Sequence, residues 1–143
     1  MSTDEGYAPS PTKWVRDAVE QIENTGSTEV AGFNGRGVVL LTMRGAKTGK
    51  IRKVPLMRVE DNGLYAAVAS LGGAPKHPVW YYNLKADPKV QLQDGEEIRE
   101  FVARELQGEE RELWWKRSVA AYPDYANYQS WTDRTIPVVI CEP

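Results

Sequence analysis

The sequence predicts a mostly β domain with flanking helices, an α+β fold built as a small closed or half-split barrel. Three observations predict it. Strand-like apolar runs recur along the chain, turn signals suited to hairpins separate them, and helical periodicity is confined to a few stretches. Three hairpins demand antiparallel pairing, because parallel neighbours need long crossovers. About six strands of this kind favour a small barrel. A length of 143 residues suits one core. The expected organisation is a flexible start over residues 1–11 and a single domain over 12–143.

Each element has its own local cause. Residues 1–11 are polar with two prolines, the composition of a mobile terminus. Thr12 is placed to cap a helix from about Lys13 to Thr25, with Trp14, Val15, Ala18, Val19 and Ile22 as its apolar stripe and Gly26 as its end. "GVVLLTM" (37–43) is the unbroken apolar run of a buried strand, and "IRKVPLMRVE" (51–60) is the next strand. "DNG" turns the chain into "LYAAVAS" (64–70). "LGGAPKHP" is a loop, and "VWYYNLKAD" (79–87) a short aromatic helix. "KVQLQ" (89–93) pairs with "IREFVARELQ" (98–107) across "DGE". A helix over 108–121, a second helical segment in "PDYANYQSW" and a last strand, "IPVVICE", complete the chain.

Composition excludes several functions. No apolar run is long enough to cross a bilayer, and the start has neither the basic nor the apolar region of a secretion signal. One cysteine, Cys141, excludes an internal disulfide and fits a reducing, cytoplasmic setting. The first helix sets Lys13 and Arg16 against Asp17, Glu20 and Glu23, which argues against tight binding to anionic lipid. Looser peripheral contact at the inner face of the cell membrane stays open, as does the oligomeric state. "GAKTGK" is no phosphate-binding P-loop: three residues, not four, separate its glycines, Ile51 follows Lys50, and a strand comes next. No dinucleotide fingerprint follows a strand. A single histidine, His77, cannot build a metal centre or supply a hydrolytic triad within a nucleophile elbow, so no metal is expected. His77 reads as a plain loop residue and Cys141 as a small core residue.

Two features remain. From Arg44 to Arg58 six basic residues (Arg44, Lys47, Lys50, Arg52, Lys53, Arg58) stand without one acid, leaving 12 bases against 20 acids elsewhere. A one-signed patch in an acidic chain suggests an anionic partner, the bland alternative being an edge strand protected by charge. Nucleic acid is disfavoured by a pI of about 5.5. The second feature is aromatic: Trp80, Tyr81 and Tyr82, then Tyr122, Tyr125, Tyr128 and Trp131. Tyr125 and Tyr128 share a helix face. Three tyrosines so close suit the wall of a site for a planar, partly anionic ligand better than a dry core, since buried hydroxyls need partners.

The stretches "LLTMRGAKTGKIRKVPL", "VASLGGAPKHPVWYYNLKADPKVQLQ" and "YPDYANYQSWTDRTIPVVICEP" also resemble the deazaflavin-dependent nitroreductase family of actinobacteria, whose members use reduced coenzyme F420. The similarity runs from about Val38 to Pro143. It implies a split β-barrel of the flavin-reductase and pyridoxamine-oxidase kind, with the cofactor in a groove beside the barrel. It also implies reduction of quinones, of activated enones such as furanocoumarins and aflatoxins, and in some members of nitroimidazoles. By motif match, Ala46, Lys47, Thr48, Arg52, Lys53, Val54, Pro55, Leu56 and Met57 would hold the phosphate and oligoglutamate tail. Val68, Ala69, Ser70 and Leu71, with Val79, Trp80, Tyr81, Tyr82 and Asn83, would line the ring and ribityl portion. Tyr122, Tyr125 and Tyr128 would face the acceptor with Ser70 close by, and Tyr125 would also touch the cofactor. Leu71 stands where the nitroreductase branch carries lysine and Met57 where it carries an aromatic, which implies weak nitroimidazole activity. The expectation is an F420H2-dependent quinone or enone reductase in which a tyrosine hydroxyl, Tyr125 first, or solvent supplies the proton. The rivals are an FMN-dependent enzyme on the same fold and an F420-binding carrier without turnover.

Overall fold

The computed structural model describes residues 6–33 and 36–143. In chain order the elements are α1 (Lys13–Thr25), β1 (Gly32–Phe33), β2 (Arg36–Arg44), β3 (Ile51–Met57), β4 (Glu60–Asp61), β5 (Leu64–Val68), α2 (Val79–Ala86), β6 (Lys89–Asp94), β7 (Glu97–Glu105), α3 (Gly108–Ala121), α4 (Asp124–Ser130) and β8 (Val138–Glu142). Single 3-10 turns occupy Thr28–Val30 and Leu71–Gly73. The eight strands of the described residues form one antiparallel sheet in the order β1-β2-β6-β7-β8-β5-β4, with β3 also paired to β2. The two strands beyond the expected six, β1 and β4, have two residues each and so carry no periodicity to read.

β2 is apolar throughout because both its faces are covered. Val39, Leu41 and Met43 face the barrel interior with Ala67, Leu92, Phe101, Val139 and Cys141, while Leu40 packs under Val15, Val19 and Ile22 of α1. β5 and β8 alternate the same way: Ala66, Val138 and Ile140 turn outward against Trp114 of α3. Cys141 is a sealed core residue as expected, and burial pushes its thiol up to about 12.

The expected strand over 51–60 breaks at Arg58. Its N–H still bonds Gly37 of β2, but Val59 is buried among Ala66, Val138 and Ile140, and its carbonyl accepts from Ala66 of β5. The chain thus turns a corner from one edge of the sheet to the other, which gives the barrel its split. Asp94 staples that corner, accepting from Tyr65 Oη at 2.6 Å and Arg58 Nε at 2.9 Å. Pro55 sits on β3, an edge strand, where its missing N–H costs no ladder bond.

Thr12 occupies the N-cap position of α1 without making a side-chain cap bond, while Gly26 (φ 77°) closes the helix onto the Ile22 carbonyl. Of the stretch expected to be a flexible start, residues 1–5 lie outside the described residues. Tyr7 bridges to Ile51 on the outer edge of β3, with Ala8 N–H donating to the Ile51 carbonyl at 2.9 Å.

Candidate functional site

The turn between β2 and β3 is built from Gly45 to Lys50. Gly45 N–H donates to Lys50, Gly49 (φ 70°) to Gly45, and Lys50 N–H to Thr48 Oγ1. Ala46 N–H donates to Asn83 Oδ1 at 2.9 Å, tying the turn to α2. The N–H groups of Lys47 and Thr48 have no protein acceptor among the described residues. Donors and cations therefore converge on one exposed turn, a setting that receives anions.

The six cations do not act together. The Lys53 side chain is only 7% exposed, and its ammonium pairs with Glu23 of α1 at 3.0 Å and lies over the Tyr7 ring. Arg58 pairs with Asp94 and Glu60. Arg52 donates to the Ala8 and Pro9 carbonyls, and Arg44 to that of Gly49. Lys47 and Lys50 are exposed and their ammonium groups have no protein partner among the described residues. The one-signed patch of the sequence narrows to this pair, because Glu23 and Asp94 neutralise Lys53 and Arg58 while Arg44 and Arg52 are engaged by backbone carbonyls.

The aromatic residues divide by depth. Tyr122 and Tyr125 are buried with Val68 and Ile136, and Met57 and Tyr128 pack against them. Their rings meet edge to face, with Tyr122 and Tyr125 at 5.1 Å and Tyr125 and Tyr128 at 6.2 Å. Tyr122 and Tyr128 satisfy each other's hydroxyls at 3.1 Å. The Tyr125 hydroxyl has no protein partner among the described residues. No fully buried side-chain nitrogen or oxygen goes unpaired among the described residues, so this hydroxyl reaches the surface although its ring is buried. The same reasoning applies to Ser70 Oγ. Burial, with Tyr122 and Tyr128 nearby, raises the Tyr125 phenol well above its ordinary value, so it stays a neutral O–H donor.

Val54, Leu56, Ala69, Trp80 and Tyr81 share the interior cluster, and Tyr81 Oη donates to Glu105 at 2.5 Å. Val79, 74% exposed, and Tyr82, 51% exposed, lie on the outer side of α2. The segments expected to form the site thus meet at three places: Ala46 with Asn83, the interior cluster, and the tyrosine cluster with Met57 and Val68. A cavity of about 530 Å³ lined by Val90 and Phe101 takes only Arg44 from the basic segment and none of the residues expected to form the site.

Sequence reasoning missed Arg134 and the partners of His77. Arg134 donates to the carbonyls of Ala69, Ser70 and Ala74 and to His77 Nδ1. Only the polar run "TDRT" between two helical and strand patterns marked the place.

The loop after β5 packs closely on α4. A Cβ on Gly73, whose φ is +82°, would lie 2.9 Å from the Tyr128 carbonyl oxygen and 3.2 Å from Trp131 Cε3. Gly73→Ala is therefore expected to lower stability by about 2–4 kcal/mol in urea unfolding. Gly72→Ala, with φ +62° but nothing within 4 Å, loses only the left-handed strain, about 1–2 kcal/mol. Equal losses would show that the close approach is not what matters.

Comparison with known proteins follows the same stretches. The sequence model of the family described as F420H(2)-dependent quinone reductase matches residues 14–143. An F420H(2)-dependent quinone reductase of Mycobacterium tuberculosis is 39% identical over 105 residues, 71% of this chain and 70% of its own. A solved F420-H2 dependent reductase (FDR-A) superposes with a TM-score of 0.70 at 63% identity, over 73% of this chain and 93% of its own. A chain described as a domain-swapped dimer gives 0.74 at 58% identity, over 93% and 100%. A FAD-binding protein of Mesorhizobium loti, 15% identical with a TM-score of 0.54 over 85% and 87%, shares the fold alone, as a split barrel of the flavin-binding kind requires.

Proposed function

Because the chain belongs to the F420H(2)-dependent quinone reductase family, we propose that it is an oxidoreductase that takes a hydride from reduced coenzyme F420 and passes it to quinones and activated enones of the coumarin and aflatoxin type. The family match across residues 14–143 carries the reaction class. The residues present fit the cofactor: an anionic tail needs cations and free N–H groups, and the Lys47–Lys50 turn offers both. Reduced deazaflavin, when bound, supplies the hydride.

The chain's own residues then have distinct tasks. Lys47, Thr48 and Lys50 bind the tail, with Arg52 near it. Lys53 contributes through its backbone, since its ammonium belongs to Glu23. Val54, Leu56, Val68, Ala69 and Trp80 supply apolar surface to the ring. Ser70 and Tyr125 present hydroxyls to the acceptor, and Tyr122 and Tyr128 hold the Tyr125 ring between them. Tyr125 donates to the oxygen on which negative charge develops.

Leu71, 46% exposed, offers no charge where the nitroreductase branch offers lysine, so nitroimidazoles are poor acceptors. With F420H2 oxidation followed by absorbance, menadione and a coumarin enone are expected to turn over at least tenfold faster than a nitroimidazole. Nitroimidazole turnover equal to that of the quinone refutes the acceptor assignment. F420 bound tightly but oxidised by no acceptor points to the carrier, and tryptophan quenching by FMN at lower concentration than by F420 points to the flavin enzyme.

A further inference from the structure

After β5 the chain enters an unusual conformation. Leu71, Gly72 and Gly73 have φ of 45°, 62° and 82°, three successive left-handed residues, and the first is not glycine. A leucine there is strained and persists only where its surroundings hold it. The holding group is Arg134, over 60 residues away. Its Nη2 donates to the Ser70 carbonyl at 2.7 Å, its Nη1 to Ala69 at 3.1 Å and its Nε to Ala74 at 2.9 Å. Its Nη1 also lies 3.0 Å from His77 Nδ1, and since a guanidinium cannot accept, that nitrogen is the unprotonated one. The His77 ring in turn packs on Tyr81 at 4.6 Å.

Arg134 is itself anchored to the other side of the site. Gln129 of α4 donates to the Arg134 carbonyl at 2.7 Å and accepts from Ile136 N–H at 2.9 Å. Gln129 belongs to the helix that carries Tyr125 and Tyr128. One residue thus connects three parts of the site: its guanidinium holds the loop bearing Ser70 and Leu71 and His77 just before α2, and its backbone carbonyl meets Gln129 of the tyrosine helix. A planar fork with several fixed donors can do this; an ammonium cannot.

We propose that Arg134 is a positioning residue of the reductase site, holding the left-handed Leu71–Gly73 turn so that Ser70 and Leu71 meet the bound deazaflavin and stay in register with Tyr125. The inference rests on the proposed function for the identity of the ligand, and on the four contacts of the guanidinium for the residue's task.

The only histidine of the chain reports on the clamp. Burial first, then the Arg134 charge, holds His77 below its ordinary value, against an opposing pull from Glu105 and with a smaller push from Lys85. In Arg134→Gln, nitrogen NMR of His77 is expected to show a pKa moved up toward 6.5 and a mixture of tautomers in place of one. Tryptophan quenching is expected to show F420 affinity weakened about tenfold or more, and kcat for menadione at saturating cofactor lowered by a similar factor. Arg134→Lys keeps the charge but not the fork, and serves where the glutamine variant does not fold; its expected losses are in the same direction and about three- to tenfold. Either variant, folded, with cofactor affinity and kcat within twofold of the wild type overturns the proposal. A wild type that binds no F420 overturns the functional reading, while the His77 measurements still test the clamp.

Discussion

Reversing the charge of Lys47 and Lys50 together is expected to weaken F420 binding by about a hundredfold or more. Both ammonium groups stand exposed, and neither they nor the Lys47 and Thr48 N–H groups of the same turn have a protein partner among the described residues. A charge-assisted hydrogen bond contributes about 1.5–3 kcal/mol, and solvent exposure reduces that toward about 1. Reversal adds repulsion from the cofactor's phosphodiester and carboxylates, so two sites reach about 2.7 kcal/mol, a hundredfold in affinity. The measurement is tryptophan quenching by F420 with Lys47→Glu/Lys50→Glu beside the wild type. Raising ionic strength from about 0.05 to about 0.5 M should weaken the wild type much more than the variant. The contrast with Lys53 sharpens the test. Lys53→Gln breaks an ion pair with Glu23 and should lower stability while leaving cofactor affinity within about threefold. A charge-reversed turn that titrates like the wild type would mean that the tail lies elsewhere.

Tyr125→Phe is expected to lower kcat/KM for menadione by about ten- to a hundredfold, the loss of one hydrogen bond made in the transition state. Cofactor affinity should stay within about twofold. The Tyr125 ring is buried among Tyr122, Tyr128 and Trp115, but its hydroxyl has no protein partner among the described residues. Phenylalanine therefore breaks no internal bond, and the thermal midpoint should hold or rise. A core tyrosine with a structural task gives the reverse pattern, with lower stability and ordinary turnover. The phenol's raised pKa adds a pH test. A tyrosine of ordinary value loses its proton near pH 10, whereas Tyr125 keeps its O–H beyond that, so turnover should show no loss from this group up to about pH 10. An alkaline loss near pH 9 that is absent in the phenylalanine variant would contradict the assignment.

Much of the fold was legible because its causes are local. The unbroken run of β2 reports a strand covered on both faces, "DNG" and "DGE" report hairpin turns, and Gly26 reports a helix end. The stretches that resemble a deazaflavin family also meet in space, Ala46 against Asn83 and Met57 against the cluster that holds Val68, Tyr122 and Tyr125. Where the reading went astray, the cause was distant. The strand expected over 51–60 breaks at Arg58 and Val59 because β5, not its own sequence, draws Val59 into the core. His77 looked like a plain loop residue because its partner, Arg134, stands 57 positions away.

Local pattern was enough for the six longer strands, the hairpins, the family and the presence of a basic turn, since periodicity and turn chemistry act within a dozen residues. Tertiary structure alone decided which cations are free. Glu23 takes Lys53 and Asp94 takes Arg58 because the sheet brings α1 and the β6–β7 turn beside β3. It also decided that Tyr122 and Tyr128 satisfy each other while Tyr125 keeps a free hydroxyl, and that one arginine holds the strained turn at Leu71. Ion pairs and hydrogen bonds form between whatever side chains the closing barrel sets within about 3 Å, and no local pattern records that distance.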